Sequence, residues 1–115
     1  DVQKVCREDP TIQANFGRIL SRFLAFLGLE IQGVPGSLKI CRADFFESRT
    51  DVCWTSMGGF GNHNWLRISR VLQCLGMVGL KDEQQALLAC LEEIHKDGYR
   101  VQSALPHWRE NAKMS

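Results

Sequence analysis

Arg67 and Arg70 stand three residues apart, a spacing that makes two side chains neighbours on a helix surface and lets them hold one carboxylate or phosphate between them. His63 and Asn64 precede them, at the place where a new helix would offer unpaired backbone N–H groups to an anion. His63, Asn64, Arg67 and Arg70 therefore form the first candidate site, for the carboxylate of a peptide or protein ligand. The same four residues serve equally as a helix cap followed by a solvated face. The second candidate is the aromatic set Phe45, Phe46, Trp54 and Phe60, which would make an apolar docking patch for another protein or a second copy of this chain. Trp54, Trp65 and Trp108 read alike as a binding platform or as ordinary core.

Other groupings carry less. Five cysteines and three histidines are the raw parts of a thiol nucleophile and its base. None lies in a nucleophile motif, so no catalytic residue is assigned and the chain reads as non-enzymatic. Cys6, Cys41, Cys53, Cys74 and Cys90 are odd in number and without a C-x-x-C pair, which fits reduced thiols of an intracellular protein. Cys74 and Cys90 fall inside helical patterns, where a thiol is expected to be buried as a small apolar group. Glu92, Glu93, His95 and Asp97 are the nearest approach to a metal cluster, but successive glutamates on a helix point apart, so the group reads as a charged face. His95 suits a helix C-terminus. No metal and no cofactor is assigned. Gly58, Gly59 and Gly61 around Phe60 lack the lysine and the spacing of a phosphate cradle. They read as a mobile loop leading into a helix.

The net charge is +1 with 23% charged residues, which argues against a dedicated nucleic-acid surface. No apolar run approaches the roughly 20 residues of a spanning helix. At 115 residues the chain is the size of one domain with enough length for its own core. It begins at Asp1 without a leader pattern, as a segment excised from a longer protein would.

The positioning elements follow from spacing. Asp9 as cap and Pro10 at the first helical position open a helix over 10–27 that Gly28 ends. Its apolar set is Ile12, Phe16, Ile19, Leu20, Phe23, Phe26 and Leu27. Residues 29–40 alternate around Pro35-Gly36, predicting a short hairpin or an extended loop. A short helix over 42–49 and an irregular stretch over 50–62 are expected next. Asn62 or Asn64 caps a helix ending near Gly76 or Gly79, with Trp65, Ile68, Leu72 and Leu75 inward. Asp82 with Gln85 reads as the capping box of a further helix that Gly98 ends. Val101, Leu105 and Trp108 lie in a short or Pro106-broken final helix. The fold class is mainly α: one compact bundle of about four to five helices spanning 1–115.

Four stretches of this pattern point to relatives. Cys6-Arg7-Glu8-Asp9, residues 26–31, the block 63–79 and Val101-Gln102-Ser103-Ala104-Leu105 resemble in turn F-R-x-D, F-Y-G-I-x-L, H-N-x-L-R-I-T-R-I-L-x-x-L-G-x-L-G and V-x-x-S-A-L of the opioid growth factor receptor family. The likeness covers nearly all of the chain and corresponds to the later part of the region that family shares. Trp65, Ser69 and Pro106-His107-Trp108 depart from its usual pattern. The resemblance implies a nuclear or perinuclear receptor-type protein that binds an enkephalin-type peptide and restrains cell proliferation. The alternative is a helical adaptor, or a homodimerisation domain, with no peptide ligand.

Overall fold

Asp9 does what its type and position dictate: its side chain accepts from the backbone N–H groups of Thr11, at 2.8 Å, and Ile12. Pro10 follows at the first helical position, where its missing N–H has no intrahelical partner to lose. In the computed structural model, which describes residues 2–34, 36–55 and 62–114, this start launches α2 (Pro10–Leu27). The helix stops at Gly28, whose φ of 83° is left-handed and whose missing Cβ leaves room for Phe46 Cα, 2.9 Å from where one would stand. A helix the periodicity does not predict, α1 (Val2–Glu8), precedes it.

The expected hairpin is present. β1 (Leu29–Gln32) pairs antiparallel with β2 (Lys39–Arg42), Leu29 opposite Arg42 and Ile31 opposite Ile40. Ile40 and Leu29 are buried, and β2 packs on α5 (Lys81–Lys96). The helix expected over 42–49 is shorter. A 3₁₀ turn (Phe46–Arg49) runs into a single turn of helix, α3 (Thr50–Cys53), where irregular chain was expected. The glycines at 58, 59 and 61 lie outside the described residues.

α4 (His63–Met77) starts at Asn62, whose Oδ1 accepts the Asn64 N–H at 2.9 Å. Its end is set by Gly79, with a φ of 82°. There Arg7 Nε donates to the Met77 carbonyl and Gln13 Nε2 to that of Val78, so the α1–α2 junction grips the end of α4. The capping box of α5 does not form. The helix begins at Lys81 with Leu80 as its uncapped boundary, so Asp82 sits inside the first turn rather than before it. Gln85 donates instead to the Ala112 carbonyl at 2.8 Å. α6 (Leu105–Asn111) accommodates Pro106 in its first turn, which is why the proline does not break it.

The core lies where these helices meet. Leu24, Leu27, Ile68, Leu72, Leu87, Leu91, Ile94, Val101 and Trp108 are fully buried. Trp65 and Trp108 meet edge to face with ring centres 6.3 Å apart. All three indoles donate to backbone carbonyls: Trp108 to Trp65, Trp65 to Cys53 and Trp54 to Leu27, at 3.0, 2.8 and 2.8 Å. The tryptophans are thus core, each with its polar atom satisfied.

Candidate functional site

α4 sorts the first candidate set into two kinds of residue. Asn64 is buried; its Nδ2 donates towards the Val52 carbonyl at 3.4 Å and its Oδ1 accepts from Arg67 Nη1 at 3.3 Å. Asn62 donates to the carbonyls of Val52 and Thr55 at 2.7 and 3.0 Å. These amides tie α4 to α3, and Asn64 is no free ligand group, because the helix phase that buries Trp65 and Ile68 carries it inward as well. His63, Arg67 and Arg70 are exposed. Arg67 and Arg70 share the outward row that continues to Cys74.

Cys74 is exposed, not buried as its helical pattern predicted, whereas Cys90 is 2% exposed as expected. The difference is one of phase. Cys74 stands at the edge of the stripe of α4, facing α2 across a groove of about 220 Å³. Leu20 and Leu75 form its buried floor; Phe16, Ile19 and Phe23 line it from α2, Val71 and Cys74 from α4, and Arg70 is its one charged lining residue.

Sequence reasoning placed Phe16, Ile19 and Phe23 in the core and so missed this groove. Of the apolar set predicted for α2, only Leu20 and Leu27 are buried, joined by Leu24 from outside that set, while Ile19 is 58% and Phe26 38% exposed. The signal was available. The apolar residues of α2 cover an arc wider than a single packing face needs, and the surplus edge is the part left open.

The aromatic patch does not form as expected. Phe46 and Trp54 are 3% and 2% exposed, and Phe46 packs on Trp54 and Tyr99 with ring centres 5.8 and 5.5 Å away. Hydrophobic burial and the Trp54 N–H bond to Leu27 turn both inward. Phe45 alone of the set is seen exposed, and Phe60 lies outside the described residues.

Two broader depressions are more polar or more open. One of about 380 Å³, between α4 and α6, is bordered by Leu66, Ser69, Ser103 and His107. The other, of about 600 Å³, lies along Ala14, Gly17 and Ser21 of α2 beside the hairpin. Two of the acidic group are held by ion pairs: Arg109 grips Glu92 of α5 through two bonds of 2.8 and 2.7 Å, and Arg42 pairs with Asp97, just past the helix. Arg109 also holds the Glu92 carboxyl below its ordinary range. No cluster of three metal-binding side chains occurs among the described residues, nor is any of their helices long and apolar enough to cross a membrane.

Fold and groove define a mainly helical domain with an apolar cleft edged by arginine. A family model described as the opioid growth factor receptor (OGFr) conserved region matches residues 2–112, and the chain belongs to that family. Neither a curated protein nor a solved structure matches it.

Proposed function

We propose that this domain is a non-enzymatic binding module that receives a peptide at the groove between α2 and α4. The observation that carries this reading is the placement of Arg70 on an otherwise apolar cleft, which pairs a carboxylate grip with a slot for an aromatic or aliphatic side chain. Membership of the family makes an enkephalin-type peptide the ligand of choice, with restraint of cell proliferation from a nuclear or perinuclear location as the role. A ligand carboxylate meets Arg70 and its neighbour Arg67, while an aromatic side chain enters between Phe16 and Phe23. His63 stands two turns, about 10 Å, from Arg70 along α4, within reach of the same ligand.

The thiols support a non-enzymatic role. Burial pushes those of Cys53 and Cys90 up, the reverse of what a cysteine nucleophile needs.

Calorimetric titration with the enkephalin pentapeptide tests the proposal. Saturable heat is expected, with affinity reduced at least about tenfold when Arg67→Ala is combined with Arg70→Ala, as loss of a charge-assisted grip predicts. A folded sample that gives no heat overturns the peptide ligand.

A further inference from the structure

We propose that the α2–α4 groove receives an acidic amphipathic helix of a protein partner, an inference that rests on reading this groove as the binding site. Phe16, Ile19, Phe23 and Phe26 succeed one another at three- and four-residue steps, so they form one continuous row along α2. Ile19 and Phe26 are exposed and Phe16 and Phe23 are half-buried. That row is about 15 Å long at the helical rise per residue, the length of an apolar stripe on roughly three turns of a partner helix.

Charge specifies the partner further. The chain has 13 Asp and Glu residues, yet neither α2 nor α4 contains one, while together they carry Arg18, Arg22, Arg67 and Arg70. Arg70 lines the groove and Arg67 precedes it in the same row of α4, which continues to Cys74, whereas Arg18 and Arg22 border the depression on the other flank of α2, where Glu83 also stands. Beyond Phe23, the Arg49 guanidinium sits 4.8 Å over the Phe26 ring. Among the described residues the ion pairs are Arg42 with Asp97 and Arg109 with Glu92, so Arg67 and Arg70 pair with no carboxylate of those residues. A partner with leucine-like anchors flanked by Glu or Asp supplies both the apolar filling and the missing counter-charge. A second copy does not, because neither α2 nor α4 carries an acid to supply that counter-charge. A flat anionic bilayer meets the charges, but it does not fill a cleft between two helices.

The test uses a fluorescein-labelled helical peptide of about 14 residues with leucines at i, i+3 and i+7 and glutamates on both flanks. Its control carries lysine in place of every glutamate. The acidic peptide is expected to bind saturably by fluorescence anisotropy and to slow alkylation of Cys74, followed by peptide mass mapping. The variant Arg67→Glu with Arg70→Glu, checked for fold by circular dichroism, should bind it at least about tenfold more weakly and should gain affinity for the lysine control. No binding of the acidic peptide, equal binding of both peptides, or unchanged alkylation of Cys74 overturns the proposal. So does a dimer that Ile19→Asp dissociates, which would make a second copy the occupant, or protection of Cys74 by anionic vesicles alone. The enkephalin pentapeptide, titrated in parallel, separates the two readings. If it binds and the acidic helix does not, this inference fails alone; the opposite outcome supports this inference and removes only the pentapeptide.

Discussion

The Cys90 thiol is pushed up to about 12 from 9.0, first by burial and next by the charge of Glu93. Cys53, also buried, is raised for the same first reason, with Arg49 partly opposing it. Cys74 is exposed on the groove. Iodoacetamide at mildly alkaline pH should therefore modify Cys74 while Cys53 and Cys90 resist in the folded protein, and peptide mapping reads the order directly. The sign of the accompanying pH effect follows from the raised value. The Cys90 contribution to stability is fully present below pH 9 and is lost as pH rises from there towards 12, so urea midpoints should fall across that window and fall less in Cys90→Ala. Cys74 and Cys90 look alike in the sequence because both interrupt apolar helical patterns. What separates them is phase: Cys74 continues the row begun by Arg67 and Arg70, a row that two arginines already mark as outward. Asn64 shows the converse, a polar residue carried inward by the turn that buries Trp65.

Elements with strong local punctuation were legible, and those set by tertiary packing were not. Asp9-Pro10 with Gly28 fixes α2, and Asn62 with Gly79 fixes α4, because each signal acts within a few residues of the boundary. The start of α5 misled because Gln85, the other half of the expected capping box, is drawn to the chain end at Ala112. Beside it the fully buried Gln84 donates to the carbonyls of Leu72, at 2.8 Å, and Met114, at 2.9 Å. That clamp lays the end of the chain across Gly76, where a Cβ would collide with the Met114 carbonyl and stand 2.7 Å from Gln84 Nε2. Gly76→Ala should accordingly destabilise by about 2 kcal/mol, as overpacking does, although alanine is the better helix former. Gly17, mid-helix in α2 with nothing within 4 Å of an added Cβ, is the control: Gly17→Ala should stabilise by about 0.5–1 kcal/mol. Urea denaturation of both variants checks the pair, and equal effects would show that the clamp does not constrain Gly76.

For the whole molecule, a near-neutral net charge concealed a separation of charge between elements. The composition argues correctly that nothing is strongly basic in sum, yet the arginines of α2 and α4 face no acid on their own helices, while Glu92 of α5 and Asp97 just past its end are engaged with Arg109 and Arg42. The groove was legible only in part: the wide apolar arc of α2 marks an open edge, but how far α2 stands from α4 is something no periodicity reports. The tryptophans join the parts that surround it. Trp65→Phe removes the donor to the Cys53 carbonyl and should cost about 1–3 kcal/mol by leaving a buried acceptor unpaired, seen as a lower urea midpoint. Each indole crosses a different junction: α6 to α4, α4 to α3, and the end of α3 to the end of α2. The protein thereby carries its own optical labels, one per junction. Variants that keep a single tryptophan would let emission colour and quenching report each junction separately.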